Sequence, residues 1–306
     1  MRILVTGATG FIGTAIARYL SSQGHRVVCL VRNLPAETID RAEYRQASDI
    51  SNVTARDIEG VDVVIHAAGL AHGKNVHDRQ LFETNVGGSL ALCQAAIDAR
   101  CQRMIVLSST KAVGEGNISN ESFPKPVGAY AQSKRQTEIE LLDRCAHEEM
   151  ELVFLRIPVT YGLGVAANFK KLISLSRSYL PIPYGLFKSR KSYLYVKTLA
   201  RFVERILNLP GIDGRCLLVA DPEPIALGNL IRELRLAQGL WVAPNVDLPA
   251  TFMRKIMKSV LPPAIYQQLF EDAVIDISET LTLTGWVPSW TTENGLKDMF
   301  GPDDEP

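Results

Sequence analysis

The chain has 306 residues, enough to bury a large core as one big domain or as two unequal ones. Lys plus Arg number 33 and so do Asp plus Glu, so the formal net charge is zero and the basic footprint of a nucleic-acid binder is missing. The composition is 46% apolar, yet no apolar run approaches the ~20 residues of a membrane span, so no transmembrane segment is expected. Cys29, Cys93, Cys101, Cys145 and Cys216 are scattered and form no C-x-x-C pair, which fits reduced thiols in a cytoplasmic protein. The five histidines lack ligand spacing, and no metal site is expected.

Ile3, Leu4 and Val5 form a short apolar run that reads as a buried strand. Gly7, Gly10 and Gly13 follow at intervals of three, and Ile12, Ala15, Ile16, Tyr19 and Leu20 then share one helical face. The glycines interrupt the run after Arg2 too early for a secretory signal, so the start reads as a mature first strand. Strand, glycine turn and helix make the context of a dinucleotide fingerprint. Gly7 allows the tight turn, Gly10 lets backbone approach a pyrophosphate, and Gly13 allows close helix–strand packing. Thr9, Phe11 and Ile12 complete the candidate cofactor turn, whose helix N-terminus offers amides to phosphate.

Further strands are predicted at 26–31, 61–66, 103–108 and 151–157, with helices at about 80–99 and 129–147. This alternation predicts an α/β fold with a Rossmann-like, doubly wound parallel sheet. After Gly164, prolines from Pro181 to Pro288 break the pattern, and helices are expected near 168–178, 197–208, 226–238 and 251–271. The expected organisation is a dinucleotide-binding domain at 1–164, with a returning segment near 190–221 whose strand 215–220 rejoins the sheet. A smaller α/β substrate domain is expected mainly at 165–306.

Tyr130 and Lys134 are four apart, so a helix turns them to one side. A lysine ammonium beside a tyrosine is expected to lower the phenol from its ordinary pKa of ~10 and suit it to proton exchange. Ser108, Ser109 and Thr110 follow the apolar run at 103–107 and so sit at the carboxyl end of that strand, the edge where open α/β folds bind ligands.

The form T-G-x-x-G-x-x-G, followed by Y-x-x-x-K, resembles the extended branch of the short-chain dehydrogenase/reductase superfamily, the NAD-dependent epimerase/dehydratase family. The resemblance runs from Met1 to about Met299 and is more specific in the N-terminal half. It implies Ser109, Tyr130 and Lys134 as catalytic residues, with Ser109 set by its distance from Gly114 and Thr110 as the fallback. Ser109, Thr110 and Tyr130 would also touch substrate, and Lys134 would reach the nicotinamide ribose. Val113 stands where relatives carry tyrosine, and Ser109 is followed by Thr110–Lys111 in place of the Asp-Glu of dehydratases.

The resemblance further implies that Ala67, Ala68 and Gly69 line the cofactor after His66, a packing residue. Asn85 in N-V-G-G-S would stabilise a helix kink beside the site. Asp49 and Ile50 would flank the adenine, or form an ordinary acidic loop. Pro158 and Val159, in a segment resembling R-P-x-x-x-Y-G, would lie along the nicotinamide edge. Asn168 would meet the substrate phosphates, or cap a helix. In RKSYLYVKTLA the family's phosphate-binding arginine is replaced by Lys191 with Arg190 beside it, and its aspartate by Thr198. The helices at 80–99 and 129–147 form a dimer bundle in relatives, which implies a homodimer.

At the end of the second strand, Val31 occupies the position of the ribose-binding acid and Arg32 follows. A cation there suits a 2′-phosphate, so NADP(H) is favoured with NAD(H) as the alternative. The expected function is NAD(P)-dependent oxidoreduction of a nucleotide sugar, namely reduction of a UDP-4-keto-6-deoxy-hexosamine at C4. The alternatives are UDP-sugar 4-epimerisation, reduction of a non-sugar ketone, and a non-catalytic scaffold on the same fold.

Overall fold

The computed structural model describes residues 1–71, 77–165, 167–177, 184–242, 255 and 257–301. The strands are β1 (Arg2–Thr6), β2 (Arg26–Val31), β3 (Glu43–Gln46), β4 (Val63–His66), β5 (Arg103–Ser109), β6 (Glu151–Ile157), β7 (Thr160–Tyr161), β8 (Arg190–Lys191), β9 (Leu194–Tyr195), β10 (Cys216–Leu218) and β11 (Ile225–Ala226). The helices used below are α1 (Phe11–Ser22), α2 (Asp78–Phe82), α3 (Gly88–Asp98), α4 (Ala129–Cys145), α5 (Ala167–Ser176), α6 (Val196–Arg205), α7 (Leu227–Ala237), α8 (Pro263–Phe270), α9 (Ser278–Thr284) and α10 (Thr292–Phe300).

Seven strands form one sheet in the order β10-β6-β5-β4-β1-β2-β3. Every pairing in it is parallel. Chain direction across the sheet reverses between β1 and β4, the switch point at which such sheets bind ligands beyond their carboxyl ends. The central strands read as continuous apolar runs because both faces are covered. On one face Ile3, Val5 and Ile65 pack with Ile16 and Leu20 of α1 and Phe202 of α6. On the other, Leu4, Val64 and Met104 pack with Leu92 of α3 and Leu141 of α4. A third core gathers Tyr161, Phe169, Tyr193, Tyr195 and Leu230, with Leu296 of α10.

The expected strands at 26–31 and 151–157 are present with those bounds, and Cys216–Leu218 returns to pair with β6. The polar segment Glu43–Gln46 was not foreseen as a strand. Its pairing with β2 is made by main chain, which an apolar-run criterion does not detect. The helices at 278–284 and 292–300 were likewise unforeseen. Of the expected helix at 251–271, positions 251–254 and 256 lie outside the described residues; 255 and 257–260 are helical, and after a break at Leu261 and Pro262 the chain is helical again over Pro263–Phe270. The expected helix at 80–99 runs from Asp78 to Asp98 without a break but is not α-helical throughout: α2 and α3 are joined by a π-turn at Glu83–Gly87.

Candidate active site

The glycine turn is built as its spacing requires. Gly7 has φ +68°, and a Cβ there would lie 2.7 Å from the Ala68 amide and 3.0 Å from the Ala67 carbonyl. Thus the end of β4 rests directly on the turn. A Cβ at Gly13 would come within 2.2 Å of the Gly7 carbonyl, so α1 approaches β1 as closely as backbone permits. At Gly10 the nearest such contact is 3.3 Å, and Thr9 and Gly10 are exposed, while Phe11 and Ile12 are half-buried. Gly10 is the N-cap of α1 and supplies no side-chain cap, and the first turn carries no acidic residue. An uncapped, glycine-lined helix start is a site that fits the pyrophosphate of a dinucleotide.

His66 fastens this turn to the helix layer. Its Nδ1 is 2.8 Å from Thr6 Oγ1 and its Nε2 is 2.8 Å from Ser89 Oγ. Burial pushes its pKa down to about 3, helped by the nearby Lys134 cation, so the ring is neutral at pH 7 and acts as the expected packing residue. The Ala68 amide in turn donates to Thr6 Oγ1 at 3.2 Å.

Gly69 leaves room beside α4. A Cβ on it would stand 3.2 Å from Asn85 Oδ1 and 3.3 Å from Lys134 Nζ. Asn85 lies in the π-turn and is 2% exposed. Its Oδ1 accepts from the Leu70 amide at 2.8 Å, and its Nδ2 donates to the Leu70 carbonyl and to Ser133 Oγ, each at 3.0 Å. The extra residue of the π-turn turns this amide toward both neighbours, giving the expected kink a physical form. Asn85 therefore braces the loop after β4 against α4.

The structure brings Ser109, Tyr130 and Lys134 together. Ser109 ends β5, accepts from the Lys111 amide at 3.2 Å, and is hydrogen-bonded to the Tyr130 phenol. Tyr130 is raised above its ordinary pKa by burial, and the Ser109 bond opposes that rise. The expectation that Lys134 governs the phenol is corrected here: burial dominates, and the Lys134 ammonium donates to the Leu107 carbonyl at 3.0 Å. Lys134 itself is pushed down to about 8 by burial, against the pull of the Glu138 carboxylate. Ile157, the partner of Ser109 across β5–β6, leads into half-buried Pro158 and exposed Val159 at the same carboxyl edge.

At the other end of the turn, Val31 is buried and Arg32 is exposed. Arg32 lies within electrostatic reach of Asp49. The Asp49 carboxylate caps a 3-10 turn, accepting from the Ser51 amide at 2.9 Å and the Ser51 hydroxyl at 2.7 Å, and these bonds hold it below the usual carboxylate range. Ile50 packs on Gly88, where an added Cβ would come within 2.3 Å of its Cγ2. The acidic-loop alternative thus accounts for the local contacts of Asp49.

Comparison with known proteins matches residues 3–214 to the NAD dependent epimerase/dehydratase family. The chain belongs to this family. It is 29% identical over 310 residues to the UDP-glucose 4-epimerase of Vibrio cholerae, covering 96% of this chain and 93% of that one. It is 26% identical to a 3 beta-hydroxysteroid dehydrogenase/Delta 5-->4-isomerase of Mycobacterium tuberculosis, covering 98% and 89%. Among solved structures, UDP-glucuronic acid 4-epimerase from Bacillus cereus in complex with NAD superposes with a TM-score of 0.77 at 21% identity, covering 98% of this chain and 97% of that one, a likeness of fold. As a member of an epimerase/dehydratase family of extended short-chain type, the chain is an enzyme.

The residues to which the resemblance gives a substrate role are less well gathered. Thr110 is buried in the 3-10 turn Thr110–Ala112, so the fallback hydroxyl faces inward while Ser109 meets Tyr130. Asn168 belongs to α5, and its side chain lies outside the described residues. Arg190 and Lys191 form β8, which pairs with β11 apart from the main sheet. The Arg190 guanidinium donates to the Pro224 carbonyl at 3.2 Å, and Lys191 Nζ to the Glu271 carbonyl at 2.9 Å. Both head groups thus brace main chain, in contrast to the phosphate role the resemblance implies.

Two residues were missed by sequence reasoning. Asp221 is a buried junction that accepts from the Tyr161 hydroxyl and the Tyr195 amide at 3.0 Å each and from Thr292 Oγ1 at 3.1 Å. Burial pushes its pKa up to about 6. Glu138 lies on the buried side of α4, and its position four residues after Lys134 was the available signal. Among the described residues, no group of three or more His, Cys, Asp or Glu could hold a metal ion, and no helix is long and apolar enough to cross a membrane.

Proposed function

We propose that this enzyme reduces a 4-keto sugar nucleotide at C4, a UDP-4-keto-6-deoxy-hexosamine, with NADPH. The observation that carries the reading is the contact of Tyr130 with Ser109: the hydroxyl at the end of β5 is hydrogen-bonded to the phenol, so a proton donor and a hydrogen-bond donor stand side by side. A bound nicotinamide cofactor would supply the hydride. Tyr130 donates its proton to the oxygen forming at C4, and the Ser109 hydroxyl hydrogen-bonds that oxygen as charge builds on it. Lys134 stabilises the phenolate left behind. Exposed Arg32 after buried Val31 suits the 2′-phosphate of NADP(H). In this reading residues 1–164 and the returning segment hold cofactor, and residues 165–306 chiefly hold the sugar nucleotide. The free cysteines suit the cytoplasm. Helices α3 and α4 suit a homodimer interface, testable by light scattering.

A second reading, UDP-sugar 4-epimerisation, is supported by the relative named as a UDP-glucose 4-epimerase. One paired assay separates the two. The enzyme is given a UDP-4-keto-6-deoxy-N-acetylhexosamine with NADPH, and separately UDP-galactose or UDP-N-acetylgalactosamine without added cofactor. Stoichiometric loss of NADPH absorbance in the first supports reduction. Cofactor-independent interconversion in the second, with no NADPH loss in the first, establishes the epimerase instead.

A further inference from the structure

Beneath the catalytic helix lies a buried charge cluster that the hydride-transfer scheme leaves unused. Glu138 is 1% exposed. Its Oε1 accepts from Ser108 Oγ at 2.6 Å and from Arg156 Nε at 2.9 Å, and its Oε2 accepts from Arg156 Nη2 at 2.7 Å and Arg135 Nη1 at 3.1 Å. Burying a carboxylate is costly unless it is fully paired. One bidentate arginine would accomplish that. This carboxylate also holds the hydroxyl of the residue next to Ser109 and lies one helical turn from Lys134, on the same side of α4.

We propose that Glu138 is a positioning residue for the catalytic centre: through Ser108 it fixes the strand end that presents Ser109 to Tyr130, and it sets a buried carboxylate one helical turn from Lys134. This rests on the reading that Ser109, Tyr130 and Lys134 carry the chemistry. The surroundings of Lys134 make Glu138 the decisive charge. From β4 it faces His66, which burial keeps neutral, from β5 the Leu107 carbonyl, from the π-turn the uncharged Asn85 amide beside Gly69, and on α4 itself the protonated Tyr130. Around Glu138 stand Arg135 on α4, Arg156 on β6 and, on β10, Cys216, whose thiol burial pushes up to about 11. Burial alone draws the Lys134 proton away, and the Glu138 carboxylate opposes it. Ser108 and Arg156 are opposite each other in the β5–β6 ladder, so one carboxylate ties both strands to α4.

The test reads Lys134 directly, in the full-length protein without sugar or cofactor, by competitive acetylation with acetic anhydride across about pH 6 to 10, quantified by peptide mass spectrometry. Glu138→Gln removes the carboxylate but keeps a side chain of similar size whose amide oxygen can still accept from Ser108 or Arg156. Its Lys134 midpoint is expected to fall by about one pH unit or more. Glu138→Asp, which retains the charge at shorter reach, is expected to shift in the same direction by less. Ser108→Ala is expected to leave the midpoint in place while lowering kcat several-fold with little change in KM. An unchanged Lys134 midpoint in whichever Glu138 variant melts cooperatively overturns the proposal. Because the labelling needs no turnover, a failed assay for the sugar substrate leaves this result standing on its own.

Discussion

Lys134 and Lys191 are both lysines that burial pushes below their ordinary pKa, and both donate to a main-chain carbonyl, yet they belong to opposite kinds of region. Lys134 has a phenol one turn away, a glycine opening beside it, and Glu138 as the carboxylate acting on it. Lys191 stands among Asp272, Glu115 and Glu271, on a two-residue strand held by a neighbouring loop. The first arrangement leaves a cation available at the carboxyl edge of a rigid sheet. The second spends a cation on bracing one irregular segment against another.

The largest expected effect is in the first region. Tyr130→Phe is expected to lower turnover by about 10²–10⁴-fold while cofactor binding, followed by fluorescence titration, stays close to wild type. A comparable loss in Lys191→Ala would erase the contrast.

The second prediction concerns the buried histidine that fastens the turn. The folded-state pKa of His66 is about 3 against an ordinary 6.5. Between those values the unfolded chain binds a proton that the native state refuses, so stability is lost as pH falls from 6.5 toward 3. Chemical denaturation at pH 7 and pH 4 should show a decrease of roughly 3 kcal/mol from this group. His66→Asn should have a correspondingly flatter acid limb, and an identical slope in the two proteins would remove His66 as the cause.

Arg32→Ala should weaken NADP(H) by about tenfold and leave NAD(H) nearly unchanged, since only the former carries a phosphate for the guanidinium to meet. Equal changes in both affinities would make Arg32 a solvated loop charge. Smallest of all, Lys191→Ala is expected to raise the KM for the sugar nucleotide by less than about threefold with kcat unaltered, as befits a residue bound to a carbonyl. A tenfold rise would instead place Lys191 on the substrate phosphates, as the resemblance implies, and would sharpen the comparison from the other side.

The two regions were also unequally readable before folding. Strands such as Arg26–Val31 stood out because burial on both faces makes them continuous apolar runs. The edge strand Glu43–Gln46 did not, being polar and paired through its backbone. Helix α10 was invisible because its docking depends on a glycine: a Cβ at Gly295 would come within 2.3 Å of the Tyr161 hydroxyl, a contact made between residues 134 positions apart.

By itself the sequence determined the parallel sheet, the glycine turn, and the placing of Tyr130 and Lys134 on one side of a helix, because each depends on residue type at short, regular spacing. Only the tertiary structure decided what those residues feel. Burial lifts the Tyr130 phenol and lowers Lys134, Ser109 rather than Lys134 is the partner of the phenol, and Glu138 reaches Ser108 and Arg156 from a different element. Desolvation and hydrogen bonding are set by what packs around a group, and here the packing comes from β4, β5, β6 and the π-turn, which are distant in sequence and adjacent only once the sheet has formed.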